Sequence, residues 1–235
     1  MSKEVIPDLD YEAIESWETL IFMYKSALKY METKIAILND EFQAIHKYNP
    51  IEHVKSRLKT AESIVKKLKR DGREETLENM VRYMNDIAGI RIVCSFTPDI
   101  YLIADMIARQ EDIEVLSYKD FMKNPKVSGY TSYHMILAVP VYLSDKAVKV
   151  KVELQIRTIA QDFWASLEHK MYYKFEGHAP DYIRQELRNC AKMVSELDEK
   201  MLPLNQAIHE LSKTQIVEKN NKPETSIDSA ESEKE

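Results

Sequence analysis

Two carboxylates and a crowd of cations carry most of the chemistry available to this chain. Asp86 stands just before an apolar β-rich run that opens at Ala88. Glu153 lies in a row where Lys149, Lys151, Glu153, Gln155 and Arg157 alternate with Val148, Val150, Val152, Leu154 and Ile156. Such alternation describes a strand with one aliphatic face buried and, on the other, an acid, an amide and cations. If the two strands are neighbours, the acids converge. At about 4 Å and an effective dielectric of about 20 they would repel by roughly 4 kcal/mol, which a cation or a proton must relieve. Mg²⁺ suits that position, because hard oxygen ligands and a phosphate-bearing partner complete its octahedron. On spacing alone, two unrelated surface acids are the commoner arrangement.

A basic segment tips the balance toward phosphate. Lys55, Arg57, Lys59, Lys66, Lys67, Lys69 and Arg70 stand against a single acid, Glu62. Residues 51 to 70 read as a loop followed by a helix, with Thr60 as N-cap and Ala61, Ile64, Val65 and Leu68 as its apolar stripe. Arg57 and Lys59 then point the same way, and Ser63, Lys67 and Arg70 fall at i, i+4 and i+7 opposite the stripe. A chain of phosphates matches this comb, since arginine offers a planar fork and lysine a point charge to each anionic group. A solvated lysine-rich helix face is the plainer alternative. Downstream, the loop from Lys123 to His134 holds Pro125, Lys126, Gly129 and Tyr130. A base stacked on such a tyrosine gains about 1–3 kcal/mol, with Lys126 beside it to meet a phosphate.

The elements that must position these groups are equally readable. Trp17, Ile21, Tyr24, Leu28, Met31, Ile35, Leu38, Phe42 and Ile45 advance by four and three, the seam of a long helix that Asn49-Pro50 closes. Ile183, Leu187, Cys190, Val194, Leu197, Met201, Leu204, Ile208 and Leu211 repeat the pattern, with Pro203 expected to kink or locally unwind the helix. These seams could pack on each other, on the sheet or on a second subunit. Between them the pattern predicts a short helix near 74–84, strands at 88–96, 113–118, 133–142 and 147–157, and a helix at 100–109. The last two strands form a hairpin. The fold class is therefore α/β (α+β), a mixed sheet flanked by helices.

Composition narrows the setting. The chain has 235 residues, a net charge of −6 and two widely separated cysteines, Cys94 and Cys190. The acidic total disfavours nonspecific nucleic-acid binding, and the cysteine spacing argues against disulfide frameworks and zinc fingers. No export signal or membrane-spanning run is apparent, so a cytoplasmic protein is expected. From about Glu218 the sequence is polar, acidic and serine-rich, and reads as a disordered tail.

Four motifs in this order, Arg57-x-Lys59-x-x-x-Ser63-x-x-x-Lys67-x-x-Arg70, Asp86-Ile-Ala-Gly-Ile-Arg91, Lys126-x-Ser-Gly-Tyr130-x-Ser-x-His134 and Glu153-Leu-Gln-Ile-Arg-Thr158, closely resemble the synthetase domain of the RelA/SpoT family. The flanking helices are similar to those of its single-domain small alarmone synthetases, especially the RelP-type branch. The resemblance implies a nucleotidyltransferase-type sheet at 51–178 between an N-terminal helix at 1–50 and a C-terminal helix at 179–217, with the acidic tail at 218–235. It also implies a Mg²⁺-dependent transfer of the β,γ-pyrophosphate of ATP to the 3′-hydroxyl of GDP or GTP, making ppGpp or pppGpp and releasing AMP. By the same resemblance Arg57 and Arg91 sandwich adenine, Lys59, Ser63, Lys67 and Arg70 grip its phosphates, and Asp86 and Glu153 are the catalytic acids and metal ligands. Tyr130 stacks on guanine; Lys126, His134, Gln155 and Arg157 surround the guanosine nucleotide. One departure is Thr131, where many members carry arginine. A homotetramer is implied as well. The competing reading is an oligomeric RNA- or nucleotide-binding regulator with little turnover, which the acidic composition disfavours.

Overall fold

The computed structural model describes residues 14, 16–46, 48–174 and 179–220. Five strands form one sheet: β1 (Ile51–Leu58), β2 (Ala88–Cys94), β3 (Glu114–Asp120), β4 (Tyr133–Tyr142) and β5 (Ala147–Thr158), in the order β1-β2-β5-β4-β3. β2 and β5 run parallel, and every other neighbouring pair is antiparallel. The helices are α1 (Trp17–Ile45), α2 (Ala61–Arg70), α3 (Leu77–Tyr83), α4 (Thr97–Ala108), α5 (Ile159–Lys174) and α6 (Asp181–Asn220). The hairpin of β4 and β5 has the bounds expected from its alternation to within a residue.

Residues 51–58, expected as a loop, are instead the edge strand β1. Its burial does not alternate, because only Ile51 is buried, with Val54 and Leu58 half-buried. Backbone pairing to β2, with an irregularity between Ile51 and His53, makes the strand without help from a side-chain pattern.

Helix α1 starts where the Ser16 hydroxyl accepts from the Thr19 amide at 3.1 Å, and closes at His46, whose amide donates to the Phe42 carbonyl. Its seam packs on the sheet, where Tyr24, Met31 and Ile35 join Ile90, Ile92, Val152, Leu154 and Ile156 in one buried cluster with Ile100, Ile103 and Ile107 of α4. The even-numbered face of β2 and β5 is thus the core face. The odd-numbered face is left for polar side chains.

The second seam has a different fate. Over its first turns Leu187 and Val194 pack around Trp164, Ala165 and Ala191, and the Trp164 indole donates to the Leu187 carbonyl at 3.0 Å. Farther along, Leu197, Met201, Leu204 and Leu211 are all about half exposed or more. The helix runs on through Pro203 to Asn220 without the expected local unwinding. Residues 221–235, most of the expected tail, lie outside the described residues.

Gly129 sits where the loop before β4 meets α6. Its φ is +90°, and a Cβ there would lie 2.5 Å from the Ala191 Cβ. Both the backbone and the space exclude a side chain. Gly129→Ala should cost about 1–3 kcal/mol, read as a lower midpoint in thermal or urea unfolding. An unchanged midpoint would contradict the close approach.

Candidate active site

The odd-numbered face of the sheet collects the groups singled out by type and spacing. Parallel pairing sets Gly89 beside Glu153 and Arg91 beside Gln155, while antiparallel pairing sets Arg57 beside Gly89 and His134 beside Gln155. Arg57, Arg91, Glu153, Gln155 and His134 therefore share one surface. Lys55, Arg57, Gly89, Arg91, Glu153 and Gln155 line a pocket of ≈ 210 Å³ there.

Asp86 lies three residues before Gly89 and is gripped from two elements. Lys59 Nζ donates to Oδ2 at 2.6 Å and Lys67 Nζ to Oδ1 at 2.8 Å. The Lys59 amide also donates to the Ile87 carbonyl at 2.8 Å, tying the end of β1 to the start of β2. Burial pushes the Asp86 carboxyl up, but the two ammonium groups outweigh it and hold the group below its ordinary value of 3.8. Glu153 follows the same logic. Burial raises it, His134 and Gln155 lower it, the nearby Asp86 charge raises it slightly, and the net is a carboxyl below its ordinary 4.5. His134 Nδ1 stands 3.4 Å from Glu153 Oε1, and Gln155 Nε2 donates to Oε2 at 3.0 Å. The two acids are thus close enough to feel each other, and both are ionised at neutral pH.

A second cluster extends from His134. The Tyr130 hydroxyl lies 2.8 Å from His134 Nε2 and accepts from Arg157 Nη2 at 2.6 Å. Lys126 Nζ stands 4.7 Å from the centre of the Tyr130 ring, and the Arg157 guanidinium 5.0 Å. Arg157 Nη2 also donates to Gln155 Oε1 at 2.9 Å. These contacts form a continuous chain from Glu153 to Arg157.

Two expected residues stand apart from this cluster. Arg70 pairs with Asp71 at 3.1 Å at the C-terminal end of α2 with 71% of its side chain exposed, and Ser63 is exposed near the N-cap, within 2.9 Å of the Thr60 hydroxyl. Both share a helix face with Lys67, but only Lys67 reaches Asp86. Two other residues have roles that the sequence reading did not assign. Buried Lys151 donates to the Arg82 carbonyl at 2.9 Å and to Asn85 Oδ1 at 2.8 Å, anchoring the turn that presents Asp86. Asp162, in the first turn of α5, accepts from both Arg91 and Arg157. Lys151 stands in the polar row of β5 and was legible as a member of it. Asp162 carries no spacing signal, since an acid in a first helical turn is common.

A mixed sheet with two acids near one another, lysines at one and an aromatic-arginine cluster beside the other, has a fold of nucleotidyltransferase type. Comparison with known proteins then supplies the family. Residues 56–178 match the region found in RelA/SpoT proteins, and the chain belongs to that family. It is 46% identical over 195 residues to the GTP pyrophosphokinase YwaC of Bacillus subtilis (strain 168), covering 83% of this chain and 93% of the relative. The crystal structure of small alarmone synthetase 2 from Bacillus subtilis superposes with a TM-score of 0.75 at 44% identity, over 82% of this chain and 100% of that one. Small alarmone synthetase 1 from Bacillus subtilis, solved bound to its product pppGpp, gives 0.76 at 32% identity, over 82% and 97%.

The lowered pKa of Asp86 has a measurable sign. A carboxyl lowered on folding contributes stability that is full above its unfolded value and is lost as pH falls through the folded one. Asp86→Asn should therefore be less stable than the parent by about 2 kcal/mol at pH 6. The gap should narrow as both proteins are melted at successively lower pH from 6 to 3. A gap that is the same at pH 3 as at pH 6 would contradict the charged Lys59–Asp86–Lys67 arrangement.

Proposed function

We propose that this protein is a (p)ppGpp synthetase: it transfers the β,γ-pyrophosphate of ATP to the 3′-hydroxyl of GDP or GTP and releases AMP. The observation that carries the reading is that Asp86 and Glu153 lie close enough to sense each other's charge, with Lys59 and Lys67 on the first and the His134–Tyr130–Arg157 chain on the second. The relatives named as GTP pyrophosphokinases support it, and they disfavour the reading as an RNA- or nucleotide-binding regulator with little turnover.

In this reading the adenine lies between Arg57, which pairs with Gly89 across β1 and β2, and Arg91, two residues farther along β2. Glycine there leaves the floor of the pocket open. Lys59 and Lys67 meet the ATP phosphates, with Ser63 and Arg70 farther along the same helix face. Tyr130 supplies a ring for guanine, and Lys126, His134, Gln155 and Arg157 bind the rest of the guanosine nucleotide.

The 3′-hydroxyl oxygen attacks the β-phosphorus, the bond from that phosphorus to the α-bridging oxygen breaks, and AMP leaves with the oxygen. Glu153, held ionised by His134 and Gln155, accepts a hydrogen bond from the attacking hydroxyl, orients it and takes its proton as the new bond to phosphorus forms. Positioning and charge neutralisation do most of the work, and no covalent intermediate is needed.

The donor set fits Mg²⁺. Asp86 and Glu153 offer hard carboxylate oxygens, and Mg²⁺ takes one or two protein carboxylates and completes its shell with phosphate and water. When bound, the ion would neutralise charge developing on the transferred phosphates. Lys59 and Lys67 would then turn from Asp86 toward the phosphates.

A cytoplasmic homotetramer completes the proposal. The exposed Leu197, Met201, Leu204 and Leu211 of α6 and Phe163 of α5 are surface for subunit contact. Cys94 and Cys190 are both free thiols, and no helix among the described residues is long and apolar enough to cross a membrane.

Purified protein given ATP, GDP and Mg²⁺ should yield ppGpp and AMP in equal amounts. Asp86→Asn or Glu153→Gln should lower kcat by about a thousandfold, whereas Tyr130→Ala should act mainly on KM for GDP, by about tenfold or more. Pyrophosphate in place of AMP as the small product would refute the reaction. Light scattering at micromolar protein should give four times the 27.5 kDa chain mass; a monomer would remove the tetramer.

A further inference from the structure

Asp162 makes an arrangement that the reaction as described does not use. It projects from the first turn of α5 with 12% of its side chain exposed, and a single oxygen, Oδ1, accepts from Arg91 Nη1 at 2.9 Å and from Arg157 Nη1 at 3.2 Å. The two guanidinium groups come from neighbouring strands, β2 and β5, and Arg157 is only 7% exposed. Two cations this close would repel without an anion between them. The Nε atoms of both arginines are buried and have no hydrogen-bond partner among the described residues. Among the described residues the shared oxygen is the one anionic anchor common to both groups.

The proposed function places Arg91 against adenine and Arg157 beside Tyr130 on the guanosine side, and the present inference rests on that reading. We infer that Asp162 is a positioning residue through which the two nucleotide subsites sense each other, because one carboxylate oxygen holds an arginine of each. An in-plane N–H bond from Arg91 to Oδ1 leaves the flat faces of the guanidinium open for a base. A base that fixes Arg91 changes how Oδ1 holds Arg157, and a nucleotide that draws Arg157 toward it changes how Oδ1 holds Arg91. Linkage makes the effect reciprocal: whatever factor ATP imposes on the guanosine nucleotide, the guanosine nucleotide imposes on ATP.

The test is calorimetric titration of the full chain with GDP and with an ATP analogue whose α,β-methylene bridge blocks transfer, each alone and with the other saturating. In the parent chain the affinity for either ligand should change by about fivefold or more when the other is bound. In Asp162→Asn, which keeps the shape and removes the charge, the affinity for each ligand alone should fall by about threefold or more and the coupling factor should return to one. An uncoupled parent chain, or an Asp162→Asn protein with undiminished coupling, would overturn the inference.

Arg91→Lys and Arg157→Lys keep the charges and provide a second route should Asp162→Asn fail to fold. Each should weaken the ligand on its own side and also, by about threefold or more, the ligand on the opposite side. Own-side losses without any cross-effect would overturn the coupling alone. In folded variants, Arg91→Lys with unchanged analogue binding or Arg157→Lys with unchanged GDP binding would overturn the side assignments, and the inference with them.

Discussion

The parallel pairing of β2 with β5 is the constraint on which the site depends. It sets Gly89 against Glu153, Arg91 against Gln155 and Val93 against Arg157, so that residues separated by some sixty positions share one surface. The register is enforced from behind. Ile90, Ile92, Val152, Leu154 and Ile156 are all 1% exposed or less, locked under α1 and α4. A slip of one residue would drive Arg91 and Glu153 into that core and expose the aliphatic row, so packing on one face fixes the chemistry on the other. β4 joins on the far side of β5 and brings His134 alongside Gln155.

Electrostatics on this face follow one device used twice. Asp86 holds Lys59 and Lys67 together, and Asp162 holds Arg91 and Arg157. In each case a partly buried carboxylate prevents two cations from repelling one another. The price of assembling a cationic cradle is thereby met within the fold, before any polyanion arrives. This is how a chain with a net charge of −6 can present a cationic surface. The acids do not merely decorate the site. They set the spacing of the positive charges, and Lys59 and Lys67 in turn keep Asp86 ionised.

Much of this was legible in the sequence, and the failures are instructive. The alternation of β5 is a direct imprint of one buried and one polar face, so it declared both the strand and its row of polar groups. The seam of α1 was legible because most of that helix face is buried against the sheet, Ile45 at its end being exposed. β1 was not, because an edge strand is held by backbone pairing and needs no periodic side chains. The lysines of the basic segment were read as a comb for phosphates, yet their partner, Asp86, is separated from Lys59 by 27 residues and no spacing rule joins them. Asp162 escaped for a similar reason. Its meaning lies in Arg91, 71 residues earlier, and a single acid in a first helical turn looks ordinary until the fold brings that arginine to it. The seam of α6 showed an apolar face but could not say what covers it, and much of that face is exposed in the single chain.

The central claim is that Asp86 and Glu153 act together on one divalent ion between two nucleotides. Crystals grown with Mn²⁺ in place of Mg²⁺, the α,β-methylene analogue of ATP and GDP would test it most directly through anomalous scattering. The account predicts one manganese peak within bonding distance of carboxylate oxygens of both residues and of the analogue's phosphates. Both nucleotides bound with the manganese ligated by neither acid, or by only one of them, would contradict it.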